Sequence, residues 1–459
     1  MTYDEKFLRE HNAHHLWQPM AHPRQVEGAP PTIIVRGEGV HVWDLDGNRV
    51  VDGMGGLWNV NVGYGRREIR DAIVAQLDEL PFYSSFRGTT HPRAIELSER
   101  LVRETATEGM VRVMFGSNGS DAVEMALRVA RQYWRLMGKA ERHKFISLKY
   151  GYHGTHFGGA SISGNTGVRG YYGPLLSGCF QIDAPFPYRN PFTDDPAKLG
   201  RACADALDRE IRFQDPGTVA AFVVEPVLGS GGVIVPPDDW LARAREVCDR
   251  HGVLLVADEI ITGFGRAGHL FGCRGYGVKP DLMCLAKGIS SGYVPLAATL
   301  VNQRIADAFL ASSGPEGTLY SGYTYSAHPV ACAAALAAID IVHREDLPAN
   351  AARQGEHLLA RLSTLAQRFE CVGDVRGKGL MTCVELVADR ATKAAFPRGA
   401  GFPEKVAEAA YRRGAIVRVS GGNLIVSPPL VIQRPEVDAI ADALEGALQE
   451  VSAGRPQRG

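Results

Sequence analysis

Apolar and polar positions divide the chain into three stretches. Between Thr32 and Val51, the residues Ile33, Val35, Val40, Val42 and Val50 alternate loosely with polar ones, and Asp46-Gly47 marks a turn. That pattern predicts a meander of strands. Residues 1–30, rich in His, Pro and Gln, show no period and read as irregular. From about residue 69, short apolar runs alternate with helical stretches. The runs are Val111–Phe115, Lys144–Leu148, Val219–Val224, Val253–Ala257, Asp281–Leu285 and Leu296–Val301. Continuous Val, Leu and Ile fit strands buried on both faces, as in a parallel sheet. Between them, Ala122, Ala126, Val129, Ala130 and Tyr133 share one helical stripe, as do Trp240, Leu241, Ala244, Val247 and Cys248. The alternation predicts an α/β domain over residues 69–330. After it come an Ala-rich helix from Pro329 to Val342, a second helix near Gln354–Phe369, strands near Leu380–Leu386 and Ala415–Val419, and a last helix near Pro435–Val451. These read as a smaller α+β domain. Residues 1–68 are expected to join residues 331–459 in it, because the two segments flank the central block.

Composition narrows the class. Hydrophobic residues at 45% and charged residues at 22% exclude a disordered chain. Lys plus Arg number 50 and Asp plus Glu 51, for a net charge of -1. So balanced a chain has no global field to hold nucleic acid or an anionic membrane. No run approaches the ~18 apolar residues of a spanning helix, and Met1–Glu10 lacks the apolar core of a secretory signal. The eight cysteines are scattered without a CxxC pair, so free thiols, a cytoplasmic location and no metal site are expected.

In open α/β sheets, ligands bind beyond the carboxyl ends of the strands. The residues that follow each apolar run are polar and specific. Val111–Phe115 leads into Gly116-Ser117-Asn118-Gly119-Ser120-Asp121, Lys144–Leu148 into Gly151-Tyr152-His153-Gly154, Val219–Val224 into Glu225-Pro226, Val253–Ala257 into Asp258-Glu259, and Asp281–Leu285 into Lys287-Gly288. Alone, each has a plain structural reading. The first is a helix cap, Asp258 a cap or ion pair, Tyr152 core, and Lys287 a solvated loop lysine. Together they supply a phosphate loop, an aromatic, a buried acid and a lysine whose desolvation would favour a Schiff base. Pyridoxal phosphate requires that set: an anchor, a ring stack, a pyridinium partner and a covalent attachment. Gly263-Phe264-Gly265-Arg266-Ala267-Gly268 fits G-x-G-x-x-G, but Gly272, Gly275, Gly277 and Pro280 follow. A regular helix cannot open there, so a nicotinamide dehydrogenase is disfavoured. His153 and His156 lack the further ligands of a metal site.

With those residues in place, the chain resembles the class-III, fold-type I aminotransferases, in the branch that joins ω-amino acids or amines to pyruvate. The resemblance runs from His15-Leu16-Trp17 to Pro428-Pro429-Leu430. It is carried by Asp52-Gly53-Met54-Gly55-Gly56-Leu57-Trp58, Gly151-Tyr152-His153-Gly154, Asp258-Glu259, Gly263-Phe264-Gly265-Arg266, Ala286-Lys287-Gly288, Tyr323-Thr324-Tyr325-Ser326 and Val372-Gly373-Asp374-Val375-Arg376-Gly377. It implies that Lys287 carries the cofactor as a Schiff base and that Asp258 pairs its ring nitrogen. It also implies that Tyr152 and Ile261 cover the two ring faces, and that Gly119 and Ser120 hold the phosphate. Glu225 is expected near the cofactor. Thr324 would reach the phosphate of a neighbouring subunit, which implies a homodimer with shared active sites. Two departures stand out: Asn118 where the family usually has Ser, and Ala327 where it usually has Gly.

The resemblance also implies a ping-pong cycle through the pyridoxamine phosphate form, with a small-molecule amine as donor and a 2-oxo acid as acceptor. Arg418, in Val417-Arg418-Val419, stands where an arginine swings in for the acceptor carboxylate, and Arg suits bidentate carboxylate binding. Trp58, Met20 and Phe86 are expected to wall the substrate pocket. Ornithine and GABA aminotransferases place a Glu where this chain has Ser230, which disfavours those activities. A racemase, aminomutase or decarboxylase of the same fold would use the same anchor set.

Overall fold

The computed structural model describes residues 3–397 and 399–453. Its centre is a seven-stranded sheet in the order Met110–Gly116, Ala297–Asn302, Leu282–Leu285, Leu254–Asp258, Val219–Val224, Lys144–Leu148, Cys179–Ile182. Every pairing is parallel except the two made by Ala297–Asn302, which runs antiparallel to both neighbours. All six residues of Val219–Val224 and all five of Leu254–Asp258 are buried. At ~1.5–3 kcal/mol per large apolar side chain buried, such strands cannot sit at a surface. Helix Gly119–Leu136 lays Ala122, Ala126, Val129, Ala130 and Tyr133 on one face of the sheet, and helix Trp240–His251 buries Trp240, Leu241, Ala244, Val247 and Cys248.

A second, antiparallel sheet has the order Val372–Gly377, Thr382–Leu386, Asn423–Val426, Arg418–Ser420. A third joins Ile34–Glu38, His41–Asp44 and Arg49–Asp52 to Ala415–Ile416, with Ala415 opposite Val51. The two chain ends therefore meet through backbone hydrogen bonds. The stretch Ala415–Val419, read from its pattern as one strand, is two: Ala415–Ile416 pairs with Arg49–Asp52, while Arg418–Ser420 pairs with Asn423–Val426. The chain changes sheets at Val417. Residues 1–30 are not wholly irregular either. Helix Glu5–His11 forms because Asp4 accepts from the Phe7 N–H at 3.0 Å, and Pro23 opens a short helix, Pro23–Gly28.

Candidate active site

Three adjacent parallel strands deliver three chemical groups to the same end of the sheet. Glu225 follows Val219–Val224, Asp258 ends Leu254–Asp258, and Lys287 lies two residues past Leu282–Leu285. Tyr152 and His153 come from the loop after Lys144–Leu148, the next strand over, and Gly119 from the loop after Met110–Gly116. Parallel order alone makes these residues neighbours, although the sequence spreads them over 168 positions.

Asp258 is 3% exposed, and His153, at 1%, donates from Nδ1 to its Oδ2 at 2.7 Å. The Ile260 N–H gives Oδ1 a second bond at 3.2 Å. Burial opposes the His153 cation, but the Asp258 bond and charge overrule it, so its pKa is raised. A carboxylate so held is fit to face a protonated ring nitrogen. Glu225 accepts from the Tyr152 N–H and the Gly229 N–H, each at 2.9 Å. Burial pushes its pKa up to about 7, against the pull of His153 and those two bonds.

Lys287 opens a one-turn 3-10 helix with φ of +45°, a conformation that is strained for a side chain of its size. Burial lowers its pKa, and Asp258 and Glu225 offset this only in part, while Arg418 adds to it. A lowered pKa favours the neutral amine, the form that serves as nucleophile and proton carrier. Burial raises the Tyr152 phenol, with Arg418 opposing. Lys287, Asp258, Glu225, Tyr152 and Arg418 thus form one electrostatic cluster. Arg418 is part-buried, and desolvation lowers its pKa. Among the described residues it makes no side-chain hydrogen bond or ion pair. Ile261 and Trp58 pack together with Val227, Val233 and Met381. The Trp58 Nε1 is buried without an acceptor among the described residues.

Asn118 caps helix Gly119–Leu136: its Oδ1 accepts from the Asp121 N–H at 3.1 Å. The plain cap reading therefore holds for Asn118. The N–H groups of Gly119 and Ser120 begin that helix and have no intrahelical acceptor, which makes an anion seat of its N-terminus. The backbone there is closely fitted. A Cβ on Gly119 would lie 2.9 Å from Ile260 Cδ1, and one on Gly154 would lie 2.5 Å from Ser120 Oγ. These groups fit pyridoxal phosphate: free donors for a phosphate, a buried, hydrogen-bonded acid for a ring nitrogen and a desolvated amine for an aldehyde.

Three sequence candidates lie outside this cluster in the single chain. Thr324 is exposed, Phe86 is 52% exposed and Met20 77%. Phe86 does approach the Thr324 loop, since a Cβ on Gly322 would lie 3.3 Å from its Cζ. His153 and His156 bind separate carboxylates, Asp258 and Asp121. The Gly263–Gly268 stretch opens no helix. It wraps fully buried Arg266, whose guanidinium donates to the carbonyls of Leu380 and Pro428 and, at 3.0 Å, to Asn61 Oδ1. Burial lowers its pKa to about 9. His153 is the residue that sequence reasoning passed over. Its partner is 105 positions away, and only its place beyond a strand end signalled it.

Among solved structures, an amine transaminase from an uncultivated Pseudomonas species, in its pyridoxal-phosphate-bound form, is 50% identical. It superposes with a TM-score of 0.94 over 95% of this chain and 98% of its own. The adenosylmethionine-8-amino-7-oxononanoate aminotransferase of Geobacter sulfurreducens is 40% identical over 98% of this chain and 99% of its length. The putrescine–pyruvate aminotransferase of Pseudomonas aeruginosa is 37% identical over 96% and 95%. Residues 23–448 match the model of the class-III aminotransferases. The chain belongs to the class-III aminotransferase family of pyridoxal-phosphate transaminases.

Proposed function

We propose that this transaminase moves the amino group of an ω-amino acid or simple primary amine to pyruvate, releasing a carbonyl compound and alanine. The observation that carries the reading is Arg418, a part-buried guanidinium beside Tyr152 and Lys287 with no carboxylate of the described chain to neutralise it. A 2-oxo acid brings that carboxylate, while an apolar amine leaves Arg418 free to turn away. Ser230 stands where ornithine and GABA aminotransferases have Glu, so the chain lacks that carboxylate. The likeness to a putrescine–pyruvate enzyme supports pyruvate as acceptor.

Pyridoxal phosphate, when bound, stores the amino group between the two half-reactions and spreads the electrons released at the substrate carbon. Lys287 is the covalent attachment and, once freed, carries the proton from the substrate carbon. Asp258, held by the His153 hydrogen bond, would face the ring nitrogen. Tyr152 and Ile261 would cover the two ring faces, Gly119 and Ser120 would seat the phosphate, and Glu225 orders the Tyr152 backbone. Trp58 walls the pocket. Residues 69–330 supply the cofactor site, and residues 1–68 with 331–459 supply Arg418 and the cover.

The same reading makes the enzyme a cytoplasmic homodimer. The chain has no Cys-x-x-Cys pair, and no helix among the described residues is long and apolar enough to cross a membrane. Exposed Phe82 and Phe86 lie against the Thr324 loop, Phe82 with its ring centroid 5.7 Å from that of exposed Tyr325 and Phe86 beside Gly322. Ser85 Oγ donates to the Ser326 carbonyl at 2.8 Å, which fastens the two segments into one surface. A partner subunit would cover that surface and receive Thr324, Phe86 and Met20.

The test is a half-reaction titration of the purified holoenzyme followed by absorbance. Donors are added singly, among them putrescine, β-alanine, an arylalkylamine and adenosylmethionine, and pyruvate is added after each. Loss of the visible cofactor band with an amine, and its return with pyruvate, is the expected result. Return with 2-oxoglutarate but not pyruvate would overturn the acceptor.

A further inference from the structure

Arg376 is 10% exposed in its side chain and bonds in four directions. Nη1 donates to Asp374 Oδ2 and to Glu385 Oε2, each at 2.7 Å. Nη2 donates to Asn423 Oδ1 at 3.0 Å, and Nε to the Gly232 carbonyl at 2.8 Å. The guanidinium also lies over the Phe186 ring, 4.7 Å from its centroid. Asp374, Glu385 and Asn423 sit on three successive strands of the small antiparallel sheet. Gly232 belongs instead to the turn beyond the Val219–Val224 strand of the large sheet.

Both ends of this bridge lead to the active site. Asn423 lies opposite Ser420 in the hairpin whose other strand begins at Arg418. Asn423 Nδ2 donates to the Ser420 carbonyl at 3.1 Å, so the same side chain that receives Arg376 also braces that hairpin. At the other end, Gly232 and Val233 donate to the Gly229 carbonyl, and the Gly229 N–H holds Glu225. The turn has no slack. Gly232 has φ of +107°, and a Cβ there would lie 2.8 Å from Asn423 Nδ2 and 3.0 Å from Arg376 Nη2. A Cβ on Gly231 would lie 2.6 Å from the Tyr150 carbonyl.

We propose that Arg376 is a positioning residue for the acceptor half of the reaction: it clamps the hairpin that carries Arg418 to the glycine turn that holds Glu225. A planar five-donor fork suits this task because it fixes several acceptors in one plane, which a lysine ammonium does not. The inference rests on the reading of Arg418 as the acceptor-carboxylate group. A simple amine does not use Arg418, so a loosened hairpin burdens pyruvate and spares the amine.

The test compares the two half-reactions in Arg376→Lys, Asn423→Ala and Arg418→Met holoenzymes. Pyruvate is run against the pyridoxamine form and an arylalkylamine against the pyridoxal form. In Arg376→Lys the pyruvate concentration at half-maximal rate should rise about tenfold, with the amine rate held within about twofold. Asn423→Ala, which removes one acceptor and keeps the arginine, should show the same split at smaller size, and it carries the test if Arg376→Lys does not fold. Equal losses in both half-reactions, or no loss in either, would overturn the proposal. If Arg418→Met itself leaves pyruvate unaffected, the reading of Arg418 falls first. If Arg418→Met shows the pyruvate defect and both clamp variants do not, the clamp alone is wrong.

Discussion

His153 Nδ1 donates to Asp258 Oδ2 at 2.7 Å in a site where both side chains are at most 3% exposed. A buried carboxylate without such a partner takes up a proton rather than keep its charge. His153→Phe should therefore leave Asp258 less able to pair a protonated ring nitrogen. A charged hydrogen bond of about 1.5–3 kcal/mol corresponds to a fall in kcat of about 10- to 100-fold. His153→Asn, which keeps a donor, should recover part of it. Steady-state rates on both variants, with cofactor content measured alongside, check this. Unchanged kcat in His153→Phe would show that Asp258 needs no support.

Lys287 should be indispensable to the chemistry but not to the fold. Its side chain makes no hydrogen bond or ion pair among the described residues, and its pKa is lowered by burial. Lys287→Ala removes the attachment and the proton carrier together. Activity should drop by at least about 10²–10⁴-fold, the range of a lost general acid–base. The melting temperature should stay level or rise, since a desolvated amine is gone. Residual turnover close to wild type would place the chemistry elsewhere.

Glu225 gives a pH signature in stability. Its folded pKa is raised from 4.5 to about 7, chiefly by burial. A group with a raised folded pKa contributes fully below its unfolded value, and that contribution is lost as pH rises through the folded one. Glu225→Gln removes the titration. The variant's melting temperature relative to wild type should climb between pH 4.5 and about 7 and be level above. The exchanged hydrogen bond sets the offset between the two proteins, whereas the titration sets the slope. A flat difference across that window would show that Glu225 is ionised throughout.

What the sequence made legible follows burial. The run Val219–Val224 matches its strand end to end, because a strand covered on both faces has no position open to an unsatisfied polar residue; Lys144–Leu148 matches too, and its buried Ser147 is tolerated because the hydroxyl donates to the Ile162 carbonyl. Cys179–Ile182 escaped notice as the edge strand: three of its four residues are only part-buried, so no apolar run marks it. The break at Val417 was invisible because neither short strand has a period of its own. Lys287 and Asp258 could be found because they end apolar runs. The bond from His153 to Asp258, and that from Arg376 to Gly232, cross 105 and 144 positions, and only the folded topology reveals them.

The phosphate seat depends on a glycine outside it. Gly154 has φ of +98°, and a Cβ there would lie 2.5 Å from Ser120 Oγ and 2.9 Å from Ser120 Cα. Gly154→Ala is thus strained in its own backbone and pushes on Ser120, whose N–H would face the phosphate. About 1–3 kcal/mol of stability should be lost, with cofactor affinity weakened about tenfold. Gly138, with φ of +71° and nothing within 4 Å of a Cβ, is the control. Gly138→Ala should lower the melting temperature and leave cofactor affinity alone. Equal affinity losses in the two variants would mean that general loosening, not the Ser120 contact, is responsible.

If Thr324 serves the neighbouring subunit's phosphate, two inactive variants can restore one another. Thr324→Glu sets a negative charge against the phosphate of the partner's site, and Lys287→Ala disables the site of its own chain. In a hybrid dimer, one site combines both defects. The other pairs the intact Lys287 of the Thr324→Glu chain with the intact Thr324 of the Lys287→Ala chain. Refolding the two together should give up to about a quarter of wild-type activity, from half the dimers being hybrids with one sound site each. Thr324 is exposed and distant in sequence from the phosphate loop, so a purely intrachain role predicts no recovery. Activity that stays at the level of the separate variants would refute the shared site.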